Sequence, residues 1–351
     1  MKRLLYCTIL LTVAAALAGC ADPSASDGDN DGDPVAALTD LGATLKGDAK
    51  ENVTSVALTN CEVSDADLAH VQRLPALEQL HLSGTAIGDD GLAHLKDCTG
   101  LTLLDLRGTQ VTDAGTSHLA GLVELKNLKF SGKTIGDATL QHLRQLTKLK
   151  ALGLDDTQVT DAGLEQLKPL DRLEEIYLTR TPVTDAGMEH LAALPKLRKL
   201  RLRGTKVSDA GLQHLAAATN LQEMDLSETP VGDAGMEHLA KLPKLWWLNL
   251  WTTRVTDAGM EHLAGMKQLT WLNVDNTTVS DAGLPQLATL TELTFLHLGR
   301  TQITDAGLDA LKPLTKLKTI HVTRTDVTDA GVEKLRKLLP GCEIVSEVDG
   351  G

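Results

Sequence analysis

The stretch that decides the fold is "LWWLNLWTTRVTDAGMEHLAGMKQ", residues 245–268, because the next 24 residues repeat it as "LTWLNVDNTTVSDAGLPQLATLTE", residues 269–292. The two blocks share Leu at positions 1, 4 and 19, Val at 11, and Asp-Ala-Gly at 13 to 15. Working outward, the same unit runs without insertion through eleven blocks from residue 77 to 340, and a more divergent twelfth block precedes them at 53–76. Repeat 1 is therefore 53–76 and repeat 12 is 317–340. The common pattern reads L-x-x-L-x-L-x-x-T-x-V-T-D-A-G-L-x-x-L-x-x-L-x-x.

Within each unit, positions 4 and 6 are apolar with period two, as on a short strand, and positions 3, 5 and 7 face the other way. After position 11 the apolar spacing changes to 16, 19 and 22, as on a short helix. One unit cannot bury both apolar faces, but stacked units share a continuous core. Parallel strands stack at about 4.8 Å. Helices need about 8–10 Å. That mismatch predicts a stack bent with its strands on the concave side.

This pattern resembles the leucine-rich repeat family, whose 20 to 29 residue units stack into a horseshoe. The resemblance covers 53–340 and implies an α/β fold, a right-handed solenoid with parallel strands on the concave face and short helices on the convex face. The "VTDAGL" segment is similar to repeats of many bacterial envelope proteins and of F-box substrate receptors. No F-box segment is present.

The N-terminus, "MKRLLYCTILLTVAAALAGC", joins a basic start to an apolar run that is too short for a spanning helix, which reads as a secretory signal. Its ending "LAGC" resembles the bacterial lipoprotein processing site. The resemblance implies removal of residues 1–19, a lipid on Cys20, and, with Ala21 next, a place at the outer membrane. Residues 20–33 read as a disordered acidic tether. Asp27, Asp29, Asp31 and Gly32 match the first half of a calcium loop, but Leu38 stands where the bidentate Glu belongs. Residues 34–52 are expected to cap the stack, through a short helix bearing Val35, Leu38 and Leu41 and a strand pair. Residues 341–351 are expected to add a last strand and a tail.

The chain has 351 residues, a net charge of -13 and only 2% aromatic residues, so Leu, Ala and Val must fill the core. The acidity argues against nucleic acid or an anionic membrane surface as the main partner. Five of the negative charges lie in the tether. Cys61, Cys98 and Cys342 show no paired framework. Asp fills position 13 in all twelve repeats, which is expected to cap the helices. Thr fills position 9 in ten, where its hydroxyl is expected to satisfy backbone groups of the turn. Eight histidines fall at position 18, but helix neighbours are about 10 Å apart and two ligands of one zinc lie within about 4 Å. No metal or cofactor is expected.

No catalytic signature is present: no G-x-S-x-G, P-loop, H-E-x-x-H or C-x-x-C. The informative residues are those that depart from the repeat. Position 3 carries Trp247, Trp271 and Phe295 on neighbouring strands, and position 7 adds Trp251 in the same repeat as Trp247. Asn249 and Asn273 lie between them at position 5. Half exposed, these rings would form an apolar patch of about 300–500 Å². The alternative is that the rings mostly cover one another. A second departure places Lys199, Arg201 and Arg203 outward on one strand, near Tyr177, where they either bind a partner or neutralise Glu175, Glu223 and Asp225. The expected function is non-catalytic binding of a protein or peptide by a monomer. A glycan stacked on the tryptophans and a passive structural role are the alternatives.

Overall fold

The computed structural model describes residues 32–48 and 52–346. The predicted signal peptide, Cys20, the aspartates of the half calcium loop, most of the tether and the tail beyond 346 lie outside the described residues. No helix among the described residues is long and apolar enough to cross a membrane.

Fourteen strands form one sheet in strict chain order. The first pair, Thr44–Gly47 with Val53–Ala57, is antiparallel. Every later pairing is parallel and sets position 3 against position 3: Trp247 faces Trp271, and Trp271 faces Phe295. Ahead of the strand pair, the helix Pro34–Asp40 buries Leu38 completely, and Val35 and Leu41 pack against the same core. At the other end the strand Glu343–Val345 pairs with Thr319–His321.

The apolar columns are inside. Leu245, Leu248, Leu250 and Val255 are all 0% exposed, so the register is the one in which the position-3 tryptophans face out of the core. A one-residue slip would have exposed the whole leucine set. The helical segments are shorter than the apolar spacing suggests. Repeat 8 is helical over Asp233–Leu239, and its position-22 residue, Leu242, is buried in the loop that follows. Repeat 3 has only a 3-10 turn, Gly115–Leu119. Parallel strands need no long helix when each unit's core is shared with its neighbours.

Three polar columns recur along the stack, and two of them join the units. The position-9 threonines donate their hydroxyls to the position-6 carbonyl three residues back, at 2.5–2.8 Å in all ten cases. Position 8 takes a left-handed conformation in every repeat, from Asn60 at φ 58° to Arg324 at φ 54°. This turn lets the position-8 N–H reach the position-7 carbonyl of the next repeat, as from Thr252 to Asp275 at 3.0 Å. Gly or Asn would adopt it with least strain, yet Arg180, Glu228, Thr252, Arg300 and Arg324 also do.

The aspartate column corrects the capping expectation. Position 12, not Asp at 13, is the N-cap: the Ser208, Thr256 and Thr328 hydroxyls accept backbone N–H groups of their own helices. Each Asp but the last, Asp329, instead reaches across to the following repeat. Its Oδ1 accepts the position-12 N–H there at 2.6–2.9 Å, in eleven successive junctions. In eight of them Oδ2 also accepts the position-12 hydroxyl, at 2.6–2.7 Å. The glycine at position 15 follows from this ladder. A Cβ on Gly211 would lie 2.6 Å from Asp185 Oδ1, and Gly235 and Gly283 stand at the same distance from Asp209 and Asp257. Where repeat 4 has Thr139 instead, its hydroxyl donates to the Asp113 carboxylate at 2.5 Å.

Candidate functional site

The strand face of repeats 6 to 12 collects the departures from the repeat. Trp247 and Trp271 stack with ring centroids 4.2 Å apart and planes 14° apart, and Trp271 and Phe295 follow at 4.7 Å and 3°. The Arg201 guanidinium closes one end of the stack, 4.0 Å from the Trp247 ring. At the other end His321 lies 5.3 Å from Phe295 and stacks on His297 at 4.4 Å. In-register parallel strands impose this: identical positions recur at about the strand spacing, close to the thickness of a ring stack.

The stack changes the expected patch. All three rings are only half-buried, but both faces of Trp271 are covered, so the surface presents ring edges rather than open faces. Among the described residues the large hydrophobics that are plainly exposed are Val123 and Trp246, not the position-3 rings. Trp251 does not join the stack. It lies between two cations, with Arg203 4.7 Å and Arg300 5.8 Å from its ring, and its Nε1 is buried without a hydrogen-bond partner.

The basic strand is neutralised in place. Lys199 and Arg201 both meet Glu223, at 3.1 and 2.9 Å, and Arg203 meets Glu228 at 2.8 Å. The paired Arg203 holds the Glu228 carboxyl below its usual range. Tyr177 donates to Glu175 at 2.7 Å, and burial together with that carboxylate pushes its phenol pKa upward. Of the three carboxylates expected to neutralise this strand, Glu223 does so, Glu228 takes the place of Asp225, and Glu175 pairs instead with Arg198.

The two asparagines have a structural duty. Asn249 Oδ1 accepts the Trp251 N–H at 3.1 Å, and Asn273 Oδ1 accepts the Asp275 N–H at 2.8 Å. Asp225 serves Ser227 in the same way at 3.0 Å, and His297 Nδ1 serves Gly299 at 3.1 Å. These side chains turn the backbone out of the strand by bonding two residues on. The amide nitrogens of Asn249 and Asn273 remain free.

Sequence reasoning missed three features here. Asp275, 5% exposed, is clamped by the Arg300 guanidinium, with Nε at 2.9 Å from Oδ1 and a second, shorter bond to Oδ2. His297 has its pKa pushed down to about 4, mainly by burial, with His321 adding to the shift and Asp275 opposing it. Gly299 makes the space: a Cβ there would lie 2.7 Å from His297 Cε1. The signal was a Gly at position 7 beside two histidines at position 5, which a column-by-column reading of repeats 11 and 12 would have shown. The three cysteines are unpaired, and burial raises Cys98 and Cys342 to about 11. No group of three or more His, Cys, Asp or Glu among the described residues is placed to hold a metal ion.

A parallel, in-register strand face backed by one strand–turn–helix unit per repeat defines an α/β repeat solenoid. A family model described as a leucine-rich repeat region matches residues 53–282, and a second leucine-rich repeat model matches 289–312 and 314–335. The chain belongs to the leucine-rich repeat family. Among solved structures it is similar to an internalin (inlF) from Listeria monocytogenes, at 21% identity and a TM-score of 0.66 over 90% of this chain and 94% of that one. It is also similar to a leucine-rich repeat protein from Leptospira interrogans, at 18% identity and a TM-score of 0.55 over 79% and 74% of the two chains. A search of curated proteins gave no match.

Proposed function

We propose that this chain is a non-catalytic recognition protein that binds a protein or peptide partner on the strand face of repeats 6 to 11. The observation that carries this reading is the ladder from Arg201 through Trp247 and Trp271 to Phe295. The fold does not ask for it: the same position holds Ser55, Gln79, Asn127 and Ala151 in other repeats. Trp and Arg are the residue types most enriched at binding hot spots. The leucine-rich repeat family, generally a protein-binding scaffold, supports the same class of role. A glycan stacking on the tryptophans would need an open ring face, and Trp271 has none. From the N-terminal LAGC we further propose that this protein, with its VTDAGL-type repeats, is a lipoprotein held to the bacterial envelope, at the outer membrane, by a lipid on Cys20.

The test is affinity capture from envelope extract with wild type and with Trp247→Ala/Trp271→Ala. A partner retained by wild type and absent from the double variant supports the reading. The same captured set for both sinks it. Labelling with radioactive palmitate, lost in Cys20→Ser, tests the anchor.

A further inference from the structure

Resting on that reading of the strand face, we infer that the segment it recognises is a proline-rich stretch in the polyproline II conformation. The inference starts from hydrogen-bonding capacity. At positions 3, 5 and 7 of repeats 9 to 11, every side-chain acceptor atom already takes a hydrogen bond, whereas several donors take part in none. Asn249 Oδ1, Asn273 Oδ1 and His297 Nδ1 each take a backbone N–H. Both oxygens of Asp275 are held by Arg300. What remains are donors: Nε1 of Trp247 and Trp271, Nδ2 of Asn249 and Asn273, and Nε2 of His297, which carries the ring proton because Nδ1 accepts. Trp251 Nε1, just beneath, is one more donor without a partner.

A ligand for such a surface offers carbonyls and brings few N–H groups, since a donor buried against donors stays unsatisfied. An ordinary extended peptide brings one N–H per residue. Proline brings none, and its ring is an apolar body for the strip of ring edges. Charge does not favour an acidic ligand instead: Lys199, Arg201, Arg203 and Arg300 are matched by Glu223, Glu228 and Asp275, with Asp225 beside Asn249. Geometry fits as well. A polyproline II chain laid across the strands advances about 9.3 Å per three-residue turn. Two strand spacings are about 9.4–9.8 Å. Every third residue therefore returns to register two strands on, so prolines three apart sit over Trp247 and Phe295 with carbonyls toward Asn249 and His297, and the residues between them cross Trp271 and Asn273. This is the pairing of aromatic surface and N–H donors that suits a preformed polyproline helix.

The probe is a ten-residue oligoproline, titrated against the full chain by tryptophan fluorescence and by calorimetry, beside an acidic peptide and an alanine-rich peptide of equal length. The discriminating variant is Asn249→Asp/Asn273→Asp. It keeps the turn, because Asp105 and Asp225 bond the N–H two residues on in the native chain, but it replaces two donors with acceptors. Saturable binding of oligoproline, at least tenfold weaker in this variant with an unchanged circular dichroism spectrum, is the expected result. No saturable binding to wild type, equal binding to the variant, or tighter binding of either control peptide overturns the inference. The strand-face reading is scored separately by the tryptophan-dependent capture above, and survives if that capture holds while oligoproline fails.

Discussion

Two ladders run along this molecule, and they differ in extent. The aspartate ladder crosses eleven junctions with nearly constant geometry. The ring ladder spans three repeats, with the His297–His321 stack at its end, and has no counterpart elsewhere among the described residues. A contact present at every junction is a condition of stacking, since a solenoid's stability is a sum of units and interfaces. A contact present at two junctions cannot be such a condition. The first ladder belongs to the fold, and the second has another use.

Breaking the aspartate ladder is expected to have the largest effect. Asp185→Ala leaves the Ser208 N–H and hydroxyl without their acceptor, at a cost of about 2–3 kcal/mol. Gly211→Ala forces a Cβ against the same carboxylate and destabilises as well. The double variant should cost less than the sum of the singles, because removing the carboxylate removes the clash. Urea midpoints of the four proteins check this; strict additivity would show that the glycine is not there for the aspartate.

Cutting the ring ladder should cost less. Trp271→Ala loses two stacking partners on a half-exposed surface, about 1–2 kcal/mol. A loss as large as that of Asp185→Ala would put the rings with the fold rather than with recognition. Next comes the histidine end of the ladder. His297 titrates near 4 in the fold, below its ordinary value of 6.5, so the unfolded chain binds more protons between those values. Stability should therefore be fully present above pH 6.5 and fall as pH drops toward 4. His297→Asn keeps an acceptor for the Gly299 N–H, as Asn273 does for Asp275, and should flatten that slope in urea unfolding followed across pH. The smallest effect expected is a gain. Thr252 is a β-branched residue at φ 56°, and Thr252→Gly should raise the unfolding free energy by about 0.5–1 kcal/mol, read as a higher urea midpoint.

The fold was legible because its rules recur. Twelve copies of one pattern fix the strand register, and Leu245 and Leu248 are buried where period two puts them. The Asp column was legible as a column but not as an inter-repeat bond. Its target is the position-12 N–H, which no side-chain pattern marks, and the distance that matters runs between units. The clue was the Gly two residues on in ten of the twelve repeats, which only makes sense once the neighbouring carboxylate is in place. The left-handed turn at position 8 was obscured by Arg, Glu and Thr at a site whose Gly and Asn copies signal it. On the strand face, sequence put Trp247, Trp271 and Phe295 on the side away from the leucine core but left open whether the rings lie exposed or cover one another, because exposure depends on how neighbouring rings pack. It grouped Trp251 with them, whereas Arg203 and Arg300 hold it apart. The Asp275–Arg300 clamp joins position 7 of one repeat to position 8 of the next, a pairing that reading one column at a time does not test.

The most direct test of the division between the two ladders is the dissociation constant of the captured partner for wild type and for Trp247→Ala/Trp271→Ala, measured beside the urea midpoint of each. The affinity should fall at least a hundredfold while unfolding stays cooperative and the midpoint moves modestly. Unchanged affinity in a folded double variant would contradict the account.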